Sequence, residues 1–260
     1  MSTSLRERWE TGNETLGFWL AVPTIISAEI AARQQVDYVC VDTQHGVNDY
    51  MTMVGMVQAI ELAGNTPIVR VPWNEPGIIG KTLDAGAYGV IVPMVNTRAQ
   101  AEALVQAARY APDGSRSWGP LVASLRHPDN RQWAAGHVAV IPMIETAEAL
   151  DNLDDILSVP GVDAIYVGPA DLSLSLGLAP QSDHDEAVFN DALAAIVAGC
   201  RRHGVVPGMH ATGALVERRC EQGFRMITVT SDALAMRAGF ASELAAAEGG
   251  GDQASAGSIY

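Results

Sequence analysis

The chain has 260 residues, 48% of them hydrophobic, and a net charge of −14. That is enough apolar material for one large core, and it leaves no basic face for a nucleic acid. An acidic surface repels acidic substrates, so an acid-binding pocket here needs local positive charge from a metal ion, a buried Arg or helix N-termini.

From Met1 to Glu14 the residues are mostly polar and charged, which leaves no room for the apolar stretch of a signal peptide. The first strand is expected at Leu16–Ala21, followed by a helical pattern over Thr24–Gln35. The alternation continues with strand Tyr38–Asp42 and helix Tyr50–Ala63, strand Pro67–Val71 and helix Gly77–Ala85, strand Gly89–Pro93 and helix Thr97–Arg109. It resumes with strand Val138–Ile144 and helix Thr146–Leu157, strand Ala164–Val167 and helix Asp185–Arg202, strand Val205–Met209 and helix Thr212–Glu221, strand Met226–Val229 and helix Ser231–Ala247. Many of the strands are continuous β-branched runs, as parallel strands buried on both faces should be. Several helices close on a turn signal: Gly64, Gly86, Gly204 and Gly223 each fall just past a helix end.

Eight βα units in a chain of this length read as a closed (β/α)8 barrel over residues 1–248. The competing open, doubly wound sheet would stop at five to seven strands, and no GxGxxG follows the first strand. Two segments break the rhythm. Tyr110–Gln132 is too long for an ordinary βα connection and reads as a functional or disordered loop. The Gly/Ser/Ala-rich tail Gly249–Tyr260 reads as disordered. Cys40, Cys200 and Cys220 form no CxxC pair and suit reduced thiols in a cytoplasmic protein. No apolar run reaches about 18 residues, so no membrane span is expected.

Barrel enzymes act at the C-terminal ends of their strands, so the residues after each strand carry the functional reading. Glu145 and Asp171 follow consecutive strands, which lie about 4.8 Å apart. Two carboxylates so close repel unless they share a proton or bind a cation, and an oxygen-only pair suits Mg2+ or Mn2+. The structural alternative is helix capping. Arg70 lies within an apolar run, on the same face as Ile68 and Thr66. If that face lines the barrel, Arg70 is a buried cation in need of an anion: a substrate oxygen, or a structural pair with Asp42.

His45, between Gln44 and Gly46, is presented by a loop and suits a general base near neutral pH. His127, His137, His184 and His203 read as solvated, and His210 follows strand seven, where it could touch substrate, with no role fixed. Lysine gives negative evidence: the only one, Lys81, lies well inside a helix, so a Schiff-base aldolase is a poor fit. There is no GxSxG and no cysteine at a clear rim position.

These residues place the chain in view of a known family. GFWL (17–20), VDTQHG (41–46), RVPWN (70–74), LDAGAYGVIVPMVNT (83–97), RYAPDGSRSWG (109–119), IPMIETAEALDNLDDI (141–156) and GVDAIYVGPADLSLSLG (161–177) resemble, in the same order, segments of the HpcH/HpaI class II pyruvate aldolases. The resemblance implies a barrel of the phosphoenolpyruvate/pyruvate-binding type. It implies a divalent metal ion (Mg2+, Mn2+ or Co2+) on Glu145 and Asp171, and His45 as acid/base supported by Asp84. Arg70 is then on the enolate oxygen, and the turn Gly168, Pro169, Ala170 and Asp171 grips the substrate carboxylate through backbone amides.

The implied substrates are pyruvate or a related 2-oxoacid plus an aldehyde. The implied assembly is a homohexamer whose Ala-rich last helix packs on a neighbour. Trp19, Leu20 and the long loop are candidate specificity elements. Gln44 and Met143 stand where some members carry Glu and Gln, which bears on metal affinity and substrate preference. Three other activities share these residue types: an acyl-CoA lyase of the citrate-lyase β type, for which Arg116, Arg126 and Arg131 offer the only basic patch; an oxaloacetate decarboxylase; and a non-catalytic 2-oxoacid-binding protein.

Overall fold

The computed structural model describes residues 3–248, so the tail assigned to disorder lies outside the described residues. Eight parallel strands close into a barrel in sequence order: β1 (Thr15–Leu20), β2 (Tyr38–Asp42), β3 (Thr66–Arg70), β4 (Gly89–Val92), β5 (Ala139–Ile144), β6 (Ala164–Val167), β7 (Val206–His210) and β8 (Met226–Ser231). β1 pairs with both β2 and β8, with an irregularity in register at Gly17/Phe18 on the β8 side. The barrel anticipated from the βα rhythm is therefore present, with each strand within one or two residues of its expected bounds at most points.

Alternation along the strands builds two cores. Tyr38, Cys40, Ile68, Ile91, Ile141, Tyr166 and Met226 fill the barrel interior. The intervening residues, such as Val39, Val41, Val69, Val90, Val140 and Ile165, face the surrounding helices. This is the layering expected when every strand is buried on both sides. Within the interior, Thr228 receives hydrogen-bond contacts from Tyr38 (3.0 Å) and Tyr166 (2.5 Å), so neither phenol is stranded.

The structure adds helices that the pattern did not single out. Leu5–Glu10 opens on a capping box between Ser4 and Glu7, and its Leu5 and Trp9 close the N-terminal end of the barrel. The expected long loop contains the helix Leu121–Arg126 and the start of a second, Asn130–His137, which runs past its expected end. Pro128 separates them by holding His127 away from helical geometry (φ −124°, ψ 83°). Pro169–Ser175 forms a further short helix after β6.

The expected helix Thr146–Leu157 is split into Ala147–Asp151 and Leu153–Leu157. Asn152 stands at the break and donates to the carbonyls of Asn96 and Glu148. The seventh helix begins as a 3-10 turn, Gly213–Leu215. No helix among the described residues is long and apolar enough to cross a membrane.

Two of the histidines assigned to solvent are buried instead. His127 is stacked on Trp133 at 3.7 Å and nearly parallel. His184 is fixed by the carbonyl of Ala179 and by Glu186. Aromatic stacking overrode the polarity of the surrounding sequence. Cys40, Cys200 and Cys220 are free thiols.

Candidate active site

A cavity of about 230 Å³ opens at the C-terminal mouth of the barrel. It brings together Trp19 from β1, His45 from the loop after β2, Arg70 from β3, the Gly168–Asp171 turn after β6 and His210 from β7. A larger cavity, about 500 Å³, lies beside Arg109 and Tyr110. Arg109 there bonds the Val138 carbonyl and Asp163, residues that precede β5 and β6, so this space belongs to the opposite end of the barrel. The chemistry-bearing groups are at the smaller one.

Trp19 and Tyr166 form its floor, stacked at 5.4 Å. The Arg70 guanidinium lies over Trp19 at 4.9 Å. As the alternation required, Arg70 shares the inner face with Ile68. Its partner is Asp42, the register neighbour on β2, through Nε–Oδ1 (2.9 Å) and Nη2–Oδ2 (2.6 Å) hydrogen bonds. Burial alone would raise the Asp42 carboxyl, but the bonds and charge of Arg70 outweigh it and hold it below the usual range. The structural pair considered from sequence is thus formed, and it coexists with a guanidinium that faces the cavity. Asp42 also accepts from the backbone N–H groups of Gln44 (3.0 Å) and His45 (3.3 Å). His45 is exposed at the mouth, and the Gln44 side-chain oxygen is buried without a hydrogen-bond partner among the described residues.

Glu145 is 2% exposed, whereas Asp171 is exposed in the first turn of Pro169–Ser175. Glu145 does not cap its own helix; Thr146 does. Glu145 instead accepts the Met94 N–H at 2.8 Å. Burial, with the negative charge of Asp171, pushes the Glu145 carboxyl up to about 7, against the opposing effects of the Met94 bond and Arg70. Gly168 has no Cβ because one there would collide with Glu145 Oε2 and lie 3.0 Å from Met143 Cε.

These features fit a divalent cation. The donors are oxygens only, and one is a buried carboxylate that accepts the Met94 N–H but makes no ion pair among the described residues. No group of three or more His, Cys, Asp and Glu converges among the described residues, so water and substrate oxygens would complete the set.

Three expectations meet a different geometry. Asp84 accepts from Arg116 at 2.6 Å and lines a separate cavity with Lys81, and within the described residues of one chain it makes no hydrogen bond to His45. Pro169 has no N–H, so in the Gly168–Asp171 turn the first-turn donors left free of the helix are those of Ala170 and Asp171. Arg116 and Arg126 are committed to Asp84 and Glu61, and Arg131 bonds the Ala111 carbonyl, so the three do not form an open basic patch.

Three residues of this rim were not among the site residues assigned from sequence. Asp42 appeared there only as a possible partner of Arg70. Met94 takes a left-handed conformation (φ 55°), uncommon for a residue with a side chain, while offering its N–H to Glu145. His210 packs edge-on against Trp19 at 5.3 Å. Its position at the end of β7 was the available signal; nothing in the sequence marks Met94.

A model of the HpcH/HpaI aldolase/citrate lyase family matches residues 15–238. The chain is 42% identical over 233 residues to a hydroxypyruvate/pyruvate aldolase of Rhizorhabdus wittichii, covering 88% of this chain and 92% of that protein. It is 35% identical to a 4-hydroxy-2-oxo-heptane-1,7-dioate aldolase of Escherichia coli, covering 89% and 90%. Among solved structures, an HpcH/HpaI aldolase/citrate lyase family protein from Burkholderia cenocepacia J2315 superposes with a TM-score of 0.87 at 31% identity, over 94% of this chain and 98% of that one.

Proposed function

The chain belongs to the HpcH/HpaI aldolase/citrate lyase family, and from that premise we propose that it is a metal-dependent aldolase. It makes or breaks the carbon–carbon bond between pyruvate, or a related 2-oxoacid, and an aldehyde. The observation that carries this reading is the buried Glu145 carboxylate. It lies against the Gly168–Asp171 turn, with Arg70 held on the same rim.

Glu145 and Asp171 would hold the ion. A bound Mg2+, Mn2+ or Co2+ supplies Lewis acidity that favours loss of a proton next to the 2-oxoacid's carbonyl. Arg70, preset by Asp42, stabilises negative charge developing on the keto oxygen without having to reorganise. The N–H groups of Ala170 and Asp171 hold the substrate carboxylate at a helix start. His45, directly or through water, takes the proton from the 4-hydroxyl in cleavage and returns it in synthesis. Trp19 and Tyr166 exclude water from below. A role for Asp84 in supporting His45 is not carried by one chain, where Arg116 occupies its carboxylate.

We further propose a homo-oligomer, a hexamer by family resemblance. Supporting it, the helix Asp232–Ala247 buries none of its residues within one chain and exposes Leu234, Met236, Phe240 and Leu244. The free thiols suit a reducing cytoplasm.

The direct test is exchange of the pyruvate methyl protons in D2O, followed by NMR. Metal-stripped protein, protein resupplied with Mg2+ or Mn2+, and Glu145→Ala are compared. Exchange that needs the metal and is lost in the variant is the expected result. No exchange in any sample would overturn the aldolase reading.

A further inference from the structure

We propose that His210 reads a hydroxyl group on the substrate and so selects hydroxylated partners over unsubstituted ones. The inference rests on the aldolase reading of the same cavity. Along β7, Val206 faces the barrel interior and Met209 faces the helices, so alternation turns His210 inward at the rim. The edge-on contact with Trp19 (5.3 Å, 84° between planes) fixes the ring against the floor over which Arg70 also lies.

Uncommitted ring nitrogens set this residue, together with His45 in the same cavity, apart from the other four histidines. At least one ring nitrogen of each of His127, His137, His184 and His203 is engaged by a protein group. Neither nitrogen of His210 has a hydrogen-bond partner among the described residues, although the ring lines the cavity. An uncommitted polar group in a substrate cavity is satisfied by substrate or by water.

The charge state narrows the ligand. Burial, then the positive charge of Arg70, push the imidazole down to about 4, with Asp42 opposing. It is therefore neutral near pH 7, with one nitrogen donating and the other accepting. A carboxylate would be better met by a cation, and a methyl group would leave the nitrogens unsatisfied. A hydroxyl, itself donor and acceptor, matches either nitrogen. That hydroxyl can sit on C3 of the 2-oxoacid donor or beside the carbonyl of the aldehyde acceptor.

The test has an arm for each source, using Mn2+-loaded wild type, His210→Phe and His210→Gln. In the donor arm, calorimetry gives the ratio of Kd for pyruvate and hydroxypyruvate, which needs no turnover. In the acceptor arm, kcat/KM is compared for glycolaldehyde and acetaldehyde with pyruvate as donor. His210→Phe keeps the ring and should lower the preference for the hydroxylated partner about tenfold in at least one arm. His210→Gln, which retains a donor and an acceptor, should recover part of it.

The arm that changes identifies which substrate carries the hydroxyl. Ratios within about twofold of wild type in both arms overturn the proposal. Absence of wild-type methyl exchange overturns the aldolase reading instead, and the donor arm still reports on His210.

Discussion

Asp42 holds Arg70 through two parallel hydrogen bonds, 2.9 and 2.6 Å, while accepting the backbone N–H of His45 at 3.3 Å. One buried carboxylate thus fixes both the cation that faces the cavity and the loop that presents the imidazole. Adjacent strand ends in register make this possible: Asp42 and Arg70 are direct neighbours across β2 and β3.

Asp42→Asn tests that coupling. The amide can accept from only one oxygen, so the paired geometry is lost and a buried guanidinium is left uncompensated. We expect kcat to fall by about 10²-fold or more, with thermal stability lowered by about 3 kcal/mol. Steady-state kinetics and melting curves measure both. Unchanged kcat in a folded variant would show that Arg70 needs no partner to act.

Gly168→Ala tests the metal reading. The added methyl would collide with Glu145 Oε2 and crowd Met143 Cε at 3.0 Å, and the short turn into Pro169 has little room to yield. Affinity for Mn2+, measured by calorimetry on metal-stripped protein, is expected to fall at least about tenfold. The barrel itself should stay folded by circular dichroism. Wild-type affinity would mean that Glu145 is not a ligand.

The sequence carried the barrel because many strands are short β-branched runs and several helices end on a turn glycine; Gly64, Gly86, Gly204 and Gly223 all have positive φ. It carried most of the rim for the same reason: His45, Arg70, Glu145 and Asp171 are at strand ends. What it did not carry depends on contacts between distant segments. Met94 meets Glu145 across 51 residues. His127 meets Tyr88 across 39 residues, although its own neighbours are not apolar. The helix Leu5–Glu10 is a different case: the Ser4-x-x-Glu7 capping box was readable, but a six-residue helix gives too few turns for its apolar period to register.

Asp183→Asn should loosen the wall of the cavity without touching substrate. Asp183 accepts from Arg218 and, at 2.7 Å, from Arg219, which is fully buried and also holds the Ser182 carbonyl at 3.0 Å. Ser182 lines the cavity. Removing the charge between the two guanidiniums leaves Arg219 without its counter-ion, at a cost of about 2–3 kcal/mol. We expect KM to rise several-fold with kcat changed less, because the wall moves while the rim residues stay. A drop in kcat alone would argue against this positioning role.

Acid stability should depend on His127. Burial, then the charges of His137 and Arg126, push its folded pKa down to about 4, below the ordinary 6.5. The unfolded chain therefore binds more protons between those values. The contribution of His127 to stability is full above pH 6.5 and is lost as pH falls toward 4. His210 acts in the same direction. Glu61, 3.5 Å from His127 and raised by burial against the pull of Arg126, acts in the opposite one, since the folded state holds its proton more tightly. His127→Phe keeps the stack on Trp133 and removes the titration. Its stability, measured by urea unfolding, should fall less steeply than wild type between pH 6.5 and 4, while losing the Tyr88 hydrogen bond costs it something at pH 7. Parallel slopes in the two proteins would mean that His127 titrates alike in the folded and unfolded chains.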